Sequence, residues 1–394
     1  MEHHEVLIVG GGNAGISLGA RLLRDGASDV AIVESQEVHR YRPLLNYVGA
    51  GEAEMSSLER PMGDVIPDGC TWIRDSVVSV DPSTSTLSTR DGRTLQWSTL
   101  VLCPGMQEDW DATTGLREAY DDGWAGSTFV PDSAPHVWET LRSLRRGPVV
   151  FTVPPEPAPC GATALKPLFM ACDHWRRQGV LEDLEVRLVV PGPGVLGLPA
   201  IDETLSSVAA SYGVEVLREA RVARLDSSSR TLDVDSAAGS RTLEDVAYAH
   251  VVPEYRAPRW IAESGLATPA VSGLVDIDAE TLRHSRHQSI WALGDAADVG
   301  TRPSGGALRP QVEILAQNIA AAARGHELRR YDGYTVMPIT TSRRRLMLVE
   351  VDREGRAKPS APLVDLTRPR RLTWLVDRYV LPVIYFRRIL RGKV

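Results

Sequence analysis

A chain of 394 residues, 43% hydrophobic and 24% charged, is long enough for about two to three globular domains, which excludes a disordered chain, a collagen-like fibre and a small disulfide-stapled scaffold. A formal net charge of −7 offers phosphates no attractive field and excludes general nucleic-acid binding. The four cysteines, Cys70, Cys103, Cys160 and Cys172, show neither CxxC nor zinc-ligand spacing, so they read as reduced thiols and no metal site is expected.

The N-terminus carries no recognisable secretory leader: Met1-Glu2-His3-His4-Glu5 runs directly into Val6-Leu7-Ile8-Val9, a buried strand. Gly10-Gly11-Gly12-Asn13-Ala14-Gly15 follows at once. Gly10 permits a tight turn, Gly12 lets backbone approach a pyrophosphate, and Gly15 lets helix and strand pack closely. Asn13 and Ala14 complete the loop, and the segment from Ile16 to Leu23 is the helix whose N-terminal amides face the phosphates. Val30–Val33 then forms a second strand ending in Glu34, whose carboxylate accepts hydrogen bonds from an adenosine ribose and repels a 2′-phosphate. Strand, turn, helix, strand and acid occur in the order that a dinucleotide site requires.

Further along, Leu100-Val101-Leu102 is a strand running into Cys103-Pro104-Gly105. The strand Pro148–Val153 ends in Pro154-Pro155-Glu156-Pro157-Ala158-Pro159-Cys160, where prolines lack the amide hydrogens of a phosphate cradle. Glu185–Val190, the helix Ile201–Tyr212 and the strand Val214–Leu217 continue a second α/β unit, and the serine-rich stretches at 226–229 and 236–240 mark turns. Prolines also interrupt Pro191-Gly192-Pro193-Gly194, so no NAD(P)H site is expected. Ser289–Ala292 is a short strand leading to Gly294-Asp295-Ala296, with a helix from about Pro310.

From Arg368 to Val394 eight basic residues stand against one acid, Asp377. Leu372, Leu375, Val376, Tyr379 and Val380 form an apolar helical stripe, and Pro382 starts a second short helix. Apolar, aromatic and basic residues together suit an interfacial membrane helix; a helix pair docked on the protein's own core has the same pattern. No stretch of about 20 apolar residues spans a bilayer. The expected location is the cytoplasm, or the inner face of the membrane if this segment docks there.

The Gly294-Asp295 segment resembles the second flavin motif of flavoproteins with two dinucleotide-binding domains. In that family the aspartate binds the ribityl chain of FAD, and a segment like Leu100–Gly105 leads out of the FAD domain. The resemblance implies an α/β fold of two Rossmann-like domains with a C-terminal amphipathic helical segment. It divides the chain into an FAD-binding domain (1–110 and 270–335), a second Rossmann-like domain without a nicotinamide site (111–269) and a C-terminal region (336–394). FAD-binding residues are then Gly10, Gly12, Asn13, Ala14, Gly15, Glu34, Gly105, Gly294 and Asp295.

A narrower resemblance rests on His39-Arg40-Tyr41-Arg42-Pro43-Leu44, Val48-Gly49-Ala50-Gly51, Pro159-Cys160-Gly161-Ala162 with Lys166, Gln311, and Tyr331-Asp332-Gly333-Tyr334 with Pro338. The chain looks like a sulfide:quinone oxidoreductase over nearly its whole length. That family oxidises sulfide on a cysteine pair, passes two electrons through FAD and reduces a membrane quinone. Cys160 matches the first of the pair and is the candidate catalytic residue, whereas Ala296 stands where the second is expected and Pro303 where a lysine is. The resemblance therefore implies an FAD-dependent oxidoreductase acting on a small sulfur-containing substrate, with quinone and a membrane surface as partners. A soluble FAD oxidoreductase repurposed for another small molecule, and a non-enzymatic flavoprotein, are the alternatives. On the first two readings Ala296 leaves room for a larger substrate. A helix N-terminus and Lys166 are expected to lower the Cys160 thiol pKa; the alternative is an inert thiol. Glu313, near Gln311, is a weaker candidate for a titrating group beside the flavin.

Overall fold

In the computed structural model, which describes residues 2–270, 272–361 and 364–393, Val6 to Val9 of β1 (Glu2–Val9) are buried on both faces, as an apolar run at the centre of a parallel sheet must be. Val394, the end of the basic C-terminal segment, lies outside the described residues. The turn after β1 leads into α1 (Asn13–Arg24), and β2 (Val30–Val33) returns parallel to β1. On the other side of β1 lies β3 (Thr94–Leu102), also parallel. The strand Thr71–Ile73 extends the sheet beyond β2, and the antiparallel strands Thr86–Thr89 and Val77–Asp81 extend it beyond β3. The strand Ile290–Ala292 joins the same sheet beside Leu100–Leu102 of β3. Two stretches far apart in the chain thus complete one sheet.

A second parallel sheet has five strands. Their order is Ala125–Gly126, Tyr248–His250, β4 (Gly147–Thr152), then beyond α2 (Leu165–Gln178) β5 (Leu184–Val189), and Glu215–Leu217. The connecting helix α2 buries Leu165, Leu168, Phe169, Cys172 and Trp175, a spacing that sets all five on one face, and it ends at Gly179 with φ +72°. The serine-rich stretches lie at the turns of an antiparallel meander, Ala220–Asp226, Thr231–Ser236 and Gly239–Leu243.

After Ile290–Ala292, α3 (Leu308–Ala323) packs on α1. The hairpin of β6 (Thr335–Ser342) and β7 (Arg345–Val351) lies against α2. The C-terminal segment then runs as a short helix (Arg371–Leu375), a π-helical turn (Val376–Val380), a helix with Pro382 in its first turn (Leu381–Arg387) and a last turn (Ile389–Arg391) that packs on α1. It buries Trp374, Asp377, Tyr385 and Leu390. Most of the apolar stripe identified in the sequence faces the other way: Leu372 is 69% exposed, Tyr379 53%, and Leu375 and Val380 are also exposed, together with Val383. The segment is docked on the body of the protein and still presents an apolar outer face.

Candidate functional site: a glycine turn, an unpartnered carboxylate and a half-buried thiol

The turn between β1 and α1 is shaped by contacts that only glycine allows. Gly10 has φ +109°, and a Cβ there would stand 2.3 Å from the carbonyl oxygen of Cys103. A Cβ on Gly15 would stand 1.9 Å from the Gly10 oxygen. At Gly12, by contrast, a Cβ meets nothing within 4 Å. The first two glycines serve the protein's own packing, whereas the third leaves open space in front of the α1 amides, where a pyrophosphate fits. Glu34 lies at the same turn: its carboxylate accepts the amides of Gly11 and Gln36, each at 2.7 Å. Asn13 accepts the Ser17 hydroxyl at 3.1 Å, which holds the start of α1.

The second motif meets the first directly. A Cβ at Gly294 would be 3.4 Å from the Ala14 methyl carbon, and the Gly294 amide donates to Gln311 Oε1 at 3.0 Å. The Asp295 carboxylate makes no hydrogen bond among the described residues. Burial raises its pKa above the usual carboxylate range, and Arg42 opposes the rise. A half-buried acceptor without a partner beside a dinucleotide turn is suited to sugar-alcohol hydroxyls. Gly105, at φ +71°, also has open space before it. The open cradle at Gly12, the acceptor at Glu34 and the free acceptor at Asp295 fit the pyrophosphate, ribose and ribityl parts of FAD.

Cys160 follows the proline-rich run after β4, with φ +53°, and precedes the four-residue turn Gly161–Ala164 that leads into α2. It is half-buried, and its carbonyl accepts both the amide and the hydroxyl of Thr163 at 2.9 Å. The expectation of a lowered thiol pKa is corrected here. Burial pushes the thiol up to about 12; Lys166 opposes this, while Asp295, Glu156 and Asp377 add to it. One short turn supplies too small a dipole to outweigh the lost hydration. Glu156 accepts the Ala158 amide at 3.1 Å and faces Arg302 at 3.5 Å.

The Lys166 charge is committed elsewhere than expected. This fully buried side chain pairs with Asp377 of the C-terminal segment at 2.7 Å, and the Tyr47 hydroxyl donates to the same carboxylate oxygen at 2.6 Å. Nearby, His39 Nε2 and the Tyr385 hydroxyl are 2.6 Å apart, while His39 Nδ1 faces the Gly11 carbonyl at 3.2 Å. The sequence marks Asp377 as the single acid of the segment but gives it no partner, and it assigns no role to Tyr47 or Tyr385. The one available signal was the single acid within a basic tail.

Two further expectations are corrected. Ala296 is completely buried and its carbonyl accepts the Val275 amide, so its methyl group lines no open substrate space. Glu313 is exposed and pairs with Gln317 of its own helix, while Gln311 is the residue that turns inward. Cys70, Cys103 and Cys172 are free thiols whose pKa values burial raises. Among the described residues no three His, Cys, Asp or Glu side chains gather as a metal site, and no helix is long and apolar enough to cross a membrane.

At the carboxyl ends of β4 and β5 lies a separate cavity of about 490 Å³. Parallel α/β sheets bind ligands at such ends. Its lining includes Pro154, Pro155 and Pro191 where a phosphate-cradling turn would be, and the charged residues Glu219, Asp235, Glu254 and Arg221, the last facing Asp235 at 3.7 Å.

Residues 4–128 match the family described as pyridine nucleotide-disulphide oxidoreductase. A mitochondrial sulfide:quinone oxidoreductase of Dictyostelium discoideum is 30% identical over 99% of this chain and 86% of its own length. The mouse (Mus musculus) protein of the same name is 28% identical over 99% of this chain and 87% of its own length. The crystal structure of the sulfide:quinone oxidoreductase from Aquifex aeolicus superposes with a TM-score of 0.84 at 15% identity, covering 100% of this chain and 92% of that one. With the two nucleotide motifs joined in one fold and this similarity running along the whole chain, the protein is an FAD-dependent oxidoreductase and belongs to the sulfide:quinone oxidoreductase family.

Proposed function

We propose that the protein removes two electrons from a small sulfur-containing substrate at Cys160 and passes them through FAD to a quinone. The observation that carries this reading is the position of Cys160: it is half-buried and shares its electrostatic surroundings with Asp295, the carboxylate assigned to the flavin. FAD would lie along Gly10, Gly12, Asn13, Ala14, Gly15, Glu34, Gly105, Gly294 and Asp295, and when bound it supplies a two-electron acceptor. Joining the Cys160 sulfur to a substrate thiol sulfur releases two electrons and two protons; the electrons leave toward the quinone and the protons toward solvent. A second substrate thiol then displaces Cys160 as a thiolate and frees the oxidised product. With Ala296 beside Gly294-Asp295, this scheme runs on one protein thiol, and inorganic sulfide is a slow substrate.

A second reading has its own support. A thiol pushed up to about 12 is a weak nucleophile near neutral pH, which favours an inert Cys160 and oxidation of another small molecule directly at the flavin. Anaerobic mixing with sulfide and with low-molecular-weight thiols, followed by the flavin's visible absorbance, separates the two. Bleaching by thiols that Cys160→Ser abolishes supports the first reading, and equal bleaching in both proteins supports the second.

The prolines that line the cavity at the end of the second sheet support the view that NAD(P)H is not a substrate. The exposed row of Leu372, Leu375, Tyr379, Val380 and Val383, flanked by exposed Arg387 and Arg388, supports contact with an anionic membrane surface, where a quinone would be reached.

A further inference from the structure

The cavity of about 490 Å³ at the carboxyl ends of β4 and β5 is the size of a small-molecule site. Neither Cys160 nor any residue assigned to FAD lines it. Much of its wall is apolar: Val153, Pro154 and Pro155 follow β4, Pro191 follows β5, and Val222 and Val251 also line it. Two buried hydroxyls in the lining have bonding capacity to spare. Thr113 is 5% exposed, and its side chain makes no hydrogen bond among the described residues. Thr152, 6% exposed, accepts the Val252 amide at 2.9 Å, while its own hydroxyl hydrogen meets no acceptor among those residues. Leaving such groups dry and unpaired is costly, so a polar occupant of the cavity stabilises them.

The charges of the lining are unbalanced. Arg221 faces Asp235 at 3.7 Å, whereas neither Glu219 nor Glu254 has a cation within ion-pair distance among the described residues. Glu254 is half-buried, and burial raises its carboxyl pKa; Arg221 opposes the rise and Asp109 adds to it. The acids do not gather as a metal site among the described residues, and apolar walls offer a bare ion no ligands.

We infer that this cavity binds a small organic cation, with an ammonium group against Glu219 and Glu254, an apolar body along Val153, Pro154 and Pro155, and an oxygen acceptor for the threonine hydroxyls. Carboxylates, apolar wall and free hydroxyls each call for a different part of one ligand. A phosphate finds neither a cradle of amides nor an uncommitted cation there. The inference goes beyond the proposed redox reaction and stands whatever reacts at Cys160.

The test is calorimetric titration of leucinamide, which carries an amine, an apolar body and a carbonyl, into the full-length, FAD-loaded protein. Near pH 7 the amine is mostly protonated, and about 0.15 M salt screens general attraction to the acidic chain. Saturable one-site binding is expected, with the neutral N-acetyl-leucinamide at least tenfold weaker. Glu254→Gln, which keeps shape and removes charge, should weaken leucinamide binding roughly tenfold. Glu313→Gln removes the same charge from the exposed face of α3 and should leave binding unchanged. Thr113→Val gives up no hydrogen bond within the protein, so it should keep the wild-type melting temperature and bind about threefold more weakly. The proposal is overturned if leucinamide shows no saturable binding or if the neutral analogue binds as tightly. It is equally overturned if Glu254→Gln weakens binding no more than Glu313→Gln does, or if Thr113→Val binds like wild type.

Discussion

His39 and Tyr385 are 346 residues apart in the chain, and their side chains meet at 2.6 Å in a buried hydrogen bond. The other imidazole nitrogen faces the carbonyl of Gly11, so the C-terminal segment is tied to the backbone of the nucleotide turn itself. Tyr385→Phe leaves a buried imidazole nitrogen without its partner and should cost about 1–3 kcal/mol of stability in urea unfolding.

Acid should loosen the same connection. Burial lowers the His39 pKa to about 4, whereas in the unfolded chain it lies near 6.5. Between these values the unfolded state binds more protons, so the stability present above pH 6.5 is lost as pH falls toward 4. His39 alone contributes a loss of about 3 kcal/mol by pH 4. His250 and His284, lowered to about 3 and about 4 by burial, act in the same direction. Urea midpoints should fall steadily from pH 7 to pH 5, and a flat profile across that range would contradict buried, neutral imidazoles.

The glycines of the first turn should separate into two kinds. Gly12→Val should leave the fold and the melting temperature of the apoprotein nearly unchanged, because open space lies before that position, but the protein should purify without flavin. Gly15→Ala should instead destabilise the apoprotein by several kcal/mol, because its methyl carbon would overlap the Gly10 carbonyl. Flavin content and thermal melting, measured on both variants, check the distinction; yellow Gly12→Val protein with full flavin would refute the pyrophosphate assignment.

Membrane contact is better tested by surface substitution than by truncation. Removing residues 368–394 would strip Asp377 from the buried Lys166 and expose the core under Trp374 and Leu390, so lost activity would say nothing about lipid. Leu375→Glu/Val383→Glu changes only exposed positions. It should retain flavin and weaken sedimentation with anionic vesicles by roughly tenfold or more, since two apolar side chains leave the lipid. Undiminished vesicle binding would show that the outer face of the segment does not carry the contact.

Neither NADH nor NADPH should bleach the flavin in stopped-flow mixing. Prolines remove the amides that would cradle a pyrophosphate, and in the lining of that cavity three acids, Glu219, Asp235 and Glu254, outnumber the one arginine, Arg221. Fast reduction by either nucleotide would disprove this.

Local chemistry made the nucleotide turn legible in the sequence. Gly10, Gly12 and Gly15 act within one turn, and Glu34 follows at the end of the next strand, so adjacent residues carry the pattern. The elements around them are displaced by only a residue or two: the helix expected over Ile201–Tyr212 spans Pro199–Ser211. The Lys166–Asp377 and His39–Tyr385 pairs were invisible because each joins residues 211 and 346 positions apart, and no local pattern encodes such a meeting. The apolar stripe of the C-terminal segment left its orientation open between a membrane surface and the protein's own core. Periodicity reveals that a helix has an apolar face, but not that Asp377 and Trp374 are the residues turned toward the core.

The late arrival of Ile290–Ala292 in the first sheet has a consequence for biosynthesis. Until the ribosome has passed that strand, the Leu100–Leu102 edge of β3 is an unpaired, wholly apolar template in the nascent chain. At about 5–20 residues per second the interval lasts roughly ten to forty seconds. During it the emerging chain can neither close its cofactor crevice nor hide that edge, so early handling by chaperones, rather than flavin supply, should limit the yield of soluble protein.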